Sequence, residues 1–294
     1  MALGYIHNFI LYLRNQKSCS PNTFLAYNTD LIQFQNFIEH LEPGISLTQV
    51  KTGHIRLWLV ELAEKGDQAT SINRKLSSVK SFFKYLILTE ETNENPARAL
   101  KKLKTPSRIP TFARKLEMEV MFDQLGCAEI YVDKLSECII GMFYHCGIRL
   151  SELVALSVSN VSLSSNQIKV LGKGNKERII PFSKEMSGLI ETYSKERRNV
   201  VSDTPNFFIF EDGKPLYNKW VYRLVQAWLT KYSTVSKKSP HVLRHTYATH
   251  LLQNGAEINA IKELLGHAGL AATQIYAHTD IAHLKKIHKL HPKS

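Results

Sequence analysis

In Gly147-Ile148-Arg149-Leu150-Ser151-Glu152-Leu153 an arginine stands at the mouth of a helix whose apolar positions Leu150, Leu153, Val154 and Leu156 face inward. Helix N-termini attract anions, and a guanidinium beside one strengthens that site. The same residues also allow a plain ion pair between Arg149 and Glu152, three positions on. A second cluster, His241-Val242-Leu243-Arg244-His245, follows Ser239 and Pro240, which read as N-cap and first helical residue. Its side-chain donors and the positive helix end would add together around an anion. His241, His245, His250 and His267 are candidate metal ligands too, but the chain lacks HExxH or a similar zinc spacing, so neither a metal nor another cofactor is expected. Leu265-Gly266-His267 ends a helix, and Tyr276 lies nine residues further on. Taken alone, that tyrosine reads as a partly buried amphipathic residue.

The elements that must position these groups are mainly α. After Ser20 and Pro21, the residues Phe24, Tyr27, Leu31, Phe34, Ile38 and Leu41 recur at spacings of three and four, an amphipathic helix. A second helix, from about Thr70 to Leu88, puts Ile72, Leu76, Val79, Phe83 and Leu86 on one side and leaves Arg74, Lys75, Lys80 and Lys84 available on the others. Residues 1–100 thus read as an N-terminal helical bundle with one basic face. Residues 101–115 carry six basic residues (Lys101, Lys102, Lys104, Arg108, Arg114 and Lys115), no acidic one, and two prolines, which reads as a basic interdomain linker. Residues 116–294 form a larger, mostly helical domain. Within it Gln167–Leu171 and Glu177–Phe182 flank Gly172-Lys173-Gly174-Asn175 as a hairpin, with a helix at Ser183–Arg198, a short strand near Phe207–Phe210 and a helix around Leu216–Tyr232.

The formal net charge is +12, with 10 Lys/Arg against 9 Asp/Glu in residues 1–100 and 28 against 17 in the remainder. Such a surplus points to a polyanion, most simply nucleic acid, and a C-shaped clamp with a domain on each side of a duplex accounts for both the charge and the basic linker. Exposed cations on these segments would instead be ordinary solvated faces if no such partner exists. Cys19, Cys127, Cys138 and Cys146 show neither CxxC pairing nor disulfide density, and no basic residue precedes Arg14. With no apolar run of about 18 residues either, the expectation is a cytoplasmic protein without a membrane partner.

The order Arg149, Lys173, His241, Arg244, His267, Tyr276 joins these separate signals. It resembles the tyrosine recombinase (phage integrase) family, whose pattern is a G-[LI]-R-x-S-E-L box, a lysine in a G-K-G hairpin, an H-x-L-R-H box, an L-G-H box and a tyrosine nine residues after its histidine. The likeness runs from about residue 115 to the end. The length, Ser20-Pro21-Asn22-Thr23 before Tyr27, and the ending His291-Pro292-Lys293-Ser294 are similar to the Xer subfamily; Cys146 before Gly147 and Ala268-Gly269 after His267 depart from it.

The resemblance implies that residues 1–100 are a SAM-like, core DNA-binding domain and that residues 116–294 are catalytic. It makes Tyr276 the nucleophile of a site-specific recombinase, giving a 3′-phosphotyrosine and a Holliday junction without metal or ATP. Arg149 and Arg244 would grip the non-bridging oxygens, Lys173 would protonate the leaving 5′-oxygen, and His241 would take the tyrosine proton or hold an oxygen. His267 would hydrogen-bond the phosphate, and Glu152 would position an arginine or histidine behind them. Expected partners are a double-stranded recombination site and a homo- or hetero-tetramer on two paired sites. A paralogous recombinase and an FtsK-type DNA translocase are further expected partners. The expected role is resolution of chromosome or plasmid dimers at a dif-like site. A helix at about 281–290, with Ile281, Leu284, Ile287 and Leu290 in a stripe, docks either on a neighbouring protomer or on its own domain. Residues expected to meet DNA are Arg74, Lys75, Lys80, Lys84, Lys101, Lys102, Lys104, Arg108 and Arg223. The alternatives are a mobile-element integrase of the same chemistry, a type IB topoisomerase-like enzyme, or a catalytically silent architectural DNA-binding protein.

Overall fold

The computed structural model describes residues 2–17, 19, 21–105, 111–126, 128–172, 177–266 and 290–292. The chain divides into two compact units, residues 1–108 and 109–294. The first contains α1 (Ala2–Asn15), α2 (Pro21–Leu41), α3 (Thr52–Glu64) and α4 (Ala69–Leu88). The second contains α5 (Lys115–Phe122), α6 (Tyr131–Cys146), α7 (Leu150–Val154), β1 (Val161–Ser162), β2 (Gln167–Leu171), β3 (Glu177–Pro181), α8 (Lys184–Arg197), α9 (Asn218–Tyr232), α10 (Pro240–Gln253) and α11 (Ile258–Leu265).

In the first unit each helix turns its three-and-four-spaced residues inward: Phe9 and Leu13 from α1, Leu31, Phe34 and Ile38 from α2, Ile55 and Trp58 from α3, and Leu76, Val79, Phe82 and Phe83 from α4. Truncating any of these aromatic rings to Ala would cost about 3–5 kcal/mol. The polar side of α4 is not an open basic face. Lys75 is buried, its Nζ 2.6 Å from Asp67 Oδ2, and Arg74 pairs with Asp30, a buried carboxylate that also accepts from Ser78 Oγ at 2.6 Å. Lys80 Nζ donates to Leu100 O at 2.6 Å. An isolated carboxylate or ammonium cannot be buried cheaply, so these charges are spent on one another and on carbonyls. Lys84, Lys101, Lys102 and Lys104 remain exposed, and Arg108 lies outside the described residues. The start of the basic linker returns along α4, where Asn73 Nδ2 donates to Leu103 O (2.9 Å) and Leu103 N donates to Asn73 Oδ1 (2.7 Å).

The second unit is built around α6, which is buried from Leu135 to Cys146, its polar Ser136, Glu137 and His145 included. Its Gly141 admits α8: a Cβ there would lie 2.8 Å from Leu189 Cδ1 and 2.9 Å from Met186 Sδ. β1, β2 and β3 form an antiparallel sheet in that order, with Ile168 opposite Ile180 and Val170 opposite Arg178. The run Phe207–Phe210, expected as a strand, makes only an isolated bridge, between Ile209 and Pro215, next to another between Ser157 and Asn206. Side chains take the carbonyls a neighbouring strand would otherwise use: Tyr131 Oη donates to Ile209 O (3.0 Å), and Arg197 donates to Phe207 O (3.0 Å) and Asn206 O (2.8 Å). Leu290 O accepts from Asn254 Nδ2 (2.7 Å), and buried His291 packs between the rings of Tyr144 and Tyr247, so residues 290 and 291 lie on the second unit itself. The expected helix at 281–290 falls, except for Leu290, outside the described residues. Among the described residues no helix is long and apolar enough to cross a membrane.

The paired amide bonds of Asn73 make a testable strap. Asn73→Ala is expected to lower stability by no more than about 1–2 kcal/mol, while trypsin cuts after Lys102 and Lys104 several-fold faster in timed digests read by mass spectrometry.

Candidate active site

Two left-handed glycines set the site. Gly147 (φ +56°) ends α6 and turns the chain so that Arg149 becomes the N-cap of α7; a Cβ at 147 would lie 2.5 Å from the Tyr247 ring. Gly266 (φ +62°) ends α11. Between them stand three arginines. Arg149 Nη2 donates to Gly266 O (2.7 Å), Arg178 Nε donates to Leu264 O (3.1 Å), and Arg244 donates to both Leu265 O and Gly147 O. Three consecutive carbonyls at the negative end of α11, which the helix itself leaves without partners, are thus each met by a guanidinium.

One carboxylate serves this cluster. Glu152 Oε1 accepts from Arg149 Nη1 (2.7 Å) and Arg178 Nη1 (2.6 Å), and Oε2 accepts from the Arg149 backbone N–H (2.8 Å) and Arg178 Nη2 (2.8 Å). Burial alone would raise its pKa, but the hydrogen bonds and charge of Arg178, then those of Arg149, hold it down at about 2. Arg244 is pushed down to about 9 by burial first and then by the Arg149 and Arg178 cations, and remains protonated at neutral pH. His241 sits exposed in the first turn of α10, behind Pro240. Its pKa is lowered by partial desolvation and then by Arg244, Lys237 and Arg149, so its imidazole is neutral at pH 7 and able to accept a proton.

The structure therefore brings Arg149, Arg244 and Glu152 together, and the electrostatic influence of Arg149 and Arg244 reaches His241. Lys173, His267 and Tyr276 lie outside the described residues. The ion pair of Arg149 with Glu152 that the spacing allows is present. His245 stands apart, edge-on to Phe112 with ring centroids 6.3 Å apart. His250 shares a hydrogen bond with Tyr144 Oη (3.0 Å). Among the described residues no group of His, Cys, Asp or Glu is arranged to hold a metal ion. Arg223 is exposed on α9. Arg178 is the residue the sequence reading missed. Its signal was available: it lies two residues before buried Ile180 on β3 and opposite buried Val170, an inward position filled by a charge.

Residues 125–283 match the phage integrase family, and residues 6–90 match the phage integrase N-terminal SAM-like domain. The chain belongs to the phage integrase family. Its relatives include the tyrosine recombinase XerC of Thermodesulfovibrio yellowstonii, 36% identical over 99% of this chain and 97% of that one. The tyrosine recombinase XerC of Chlorobaculum parvum is 32% identical over 98% and 94%. The fold is shared with the XerH site-specific recombinase bound to its difH substrate, at a TM-score of 0.67 and 21% identity over 90% of this chain and 78% of that one. This phage integrase family member is a tyrosine recombinase, a site-specific enzyme that cuts and rejoins DNA.

The ionised Glu152 ties stability to pH in a defined direction. Its folded pKa lies below the ordinary 4.5, so its contribution is complete above about pH 4.5 and is lost as pH falls through about 2. The amount is on the order of 3 kcal/mol. Glu152→Gln is expected to lower stability at neutral pH by about 3–5 kcal/mol, because buried arginines lose their counter-ion. The same substitution should flatten the fall in stability between pH 5 and pH 2, read by urea denaturation.

Proposed function

We propose that this recombinase uses Tyr276 to attack a backbone phosphorus, forming a 3′-phosphotyrosine and a free 5′-hydroxyl, and resolves chromosome or plasmid dimers at a dif-like site through a Holliday junction. The observation that carries the reading is the excess charge at the arginine cluster: Arg149, Arg178 and Arg244 face one carboxylate, Glu152. A phosphodiester brings one negative charge and its pentacoordinate transition state a second, so the cluster binds the transition state more strongly than the ground state. Arg149 and Arg244 each spend two side-chain N–H groups on the protein, and their remaining donors have no partner among the described residues, which suits a fork-like grip on the non-bridging oxygens.

Tyr276, with an ordinary pKa near 10, is about one part in a thousand ionised at pH 7, a handicap of roughly 4 kcal/mol. Neutral His241 accepts its proton, and the surrounding cations stabilise the phenolate. Lys173 protonates the departing 5′-oxygen, and His267 hydrogen-bonds a phosphate oxygen. Because the phosphotyrosine conserves the energy of the diester, neither ATP nor a divalent metal is needed for rejoining. Relatives named XerC, and the likeness to XerH in complex with difH, support a dif-like target.

The enzyme works in the cytoplasm as a homo- or hetero-tetramer on two paired sites, with a paralogous recombinase and an FtsK-type translocase as further partners in this proposal. Exposed Lys84, Lys101, Lys102, Lys104 and Arg223, together with Arg108, supply the phosphate and base contacts, while Arg74 and Lys80 are held by Asp30 and Leu100 O. Lys75 is likewise held, by Asp67.

Nicked DNA carrying a dif-type site, incubated in EDTA, is expected to give a covalent protein–DNA band on a denaturing gel with the wild-type enzyme and none with Tyr276→Phe. A band that persists in the variant would remove Tyr276 as nucleophile, and a band that requires added divalent metal would overturn the metal-free chemistry.

A further inference from the structure

The pairing of Arg149 with Glu152 poses a problem for catalysis. A guanidinium cancelled by a carboxylate three residues away has little charge left for a phosphate. We propose that Arg178 is the counter-ion of Glu152, a positioning residue that keeps the Arg149 charge free for the phosphodiester. The inference rests on the reading that Arg149 grips that phosphodiester.

The geometry divides the labour. Arg178 is turned inward, with 10% of its side chain exposed, and its fork meets the carboxylate end-on, with Nη1 on Oε1 (2.6 Å) and Nη2 on Oε2 (2.8 Å). The third donor, Nε, goes to Leu264 O (3.1 Å). Three of its five N–H donors are thus committed to protein acceptors. Arg149 makes one side-chain bond to the same carboxylate, at 2.7 Å, its other bond to Glu152 coming from the backbone. A bidentate planar pair is the stronger partnership, so the carboxylate's charge belongs mainly to Arg178. In keeping with this, Arg178 contributes more than Arg149 to holding Glu152 ionised. Gly266 lies against this side chain: a Cβ there would be 3.1 Å from Arg178 Cδ, so the arginine would have to shift by a few tenths of an ångström.

Without Arg178, each oxygen of Glu152 would regain an acceptor site for the Arg149 fork beside the bond it already takes from Arg149. The ion pair would close, drawing that guanidinium onto Glu152 and cancelling its charge. Glu152 in turn cannot simply be dispensed with in the native cluster, because Arg178 would then be a buried charge without a counter-ion.

The test separates a charge role from a structural one. Covalent complex formation on the nicked site is measured in single turnover for wild type, Arg149→Ala, Arg178→Met and the double variant Arg178→Met/Glu152→Gln, with folding checked by circular dichroism and site affinity by gel shift. Arg178→Met is expected to cleave about 10²-fold more slowly, the scale of losing one transition-state charge donor, with site affinity changed by less than about threefold. The double variant is expected to recover to within about tenfold of wild type, because the carboxylate that captures Arg149 has been neutralised. A double variant as slow as or slower than Arg178→Met overturns the proposal, since a purely structural link is not restored by removing its other half. Should Arg178→Met not fold, the folded double variant carries the test alone: cleavage reduced about 10²-fold overturns the proposal, and near-wild-type cleavage supports it. If Arg149→Ala cleaves like wild type, the reading of Arg149 falls and this inference with it; loss in Arg149→Ala without recovery in the double variant removes the inference alone.

Discussion

The second unit depends on a constraint of electrostatics: three guanidiniums packed together must find acceptors before any DNA arrives. Glu152 supplies one negative charge and accepts four hydrogen bonds. The carbonyls of Gly147, Leu264, Leu265 and Gly266 supply the rest. Those carbonyls are on hand only because α6 and α11 both end on left-handed glycines, which bare the last peptide groups instead of continuing the helix. The turns thus serve the chemistry directly, by presenting negative helix ends to arginines.

The two units treat their cations differently. In the first, Arg74, Lys75 and Lys80 are joined to Asp30, Asp67 and Leu100 O and so hold α4 to its neighbours. In the second, the arginine cluster leaves positive charge uncompensated. Exposed lysines on a flexible stem add salt-sensitive attraction to a phosphate backbone, whereas a buried, forked guanidinium adds geometry. Net charge along the sequence is concentrated beyond residue 100, but it does not say which cations are free.

The helices, the hairpin at Gln167–Leu171 and Glu177–Pro181, and the convergence of Arg149 with Arg244 were legible, because apolar spacing and N-cap pairs act locally. Lys75 was misread as available because its partner Asp67 stands eight residues away in a turn, beyond any helical spacing rule. Phe207–Phe210 has strand composition, but Tyr131, Tyr193 and Arg197 take its carbonyls, and no local pattern announces such distant donors. Arg178 was overlooked for the same reason. It shares a face of β3 with buried Ile180, but its partners Glu152 and Leu264 lie 26 and 86 residues away.

Holding the arginines on carbonyls also bears on the rate the site can reach. A long guanidinium side chain loses on the order of 2 kcal/mol of rotamer freedom when it is fixed. In this fold that cost falls on folding, offset by hydrogen bonds to α11 and to Gly147, and is not charged again when a phosphate binds. The acceptors are main-chain carbonyls and a carboxylate already saturated by its partners, so they need not reorganise as negative charge builds on phosphorus. A lysine at 149 or 244 could supply a charge but not two fixed N–H directions together with spare donors. For that reason the cluster is made of arginines, and the carboxylate at its centre has a second arginine to answer it.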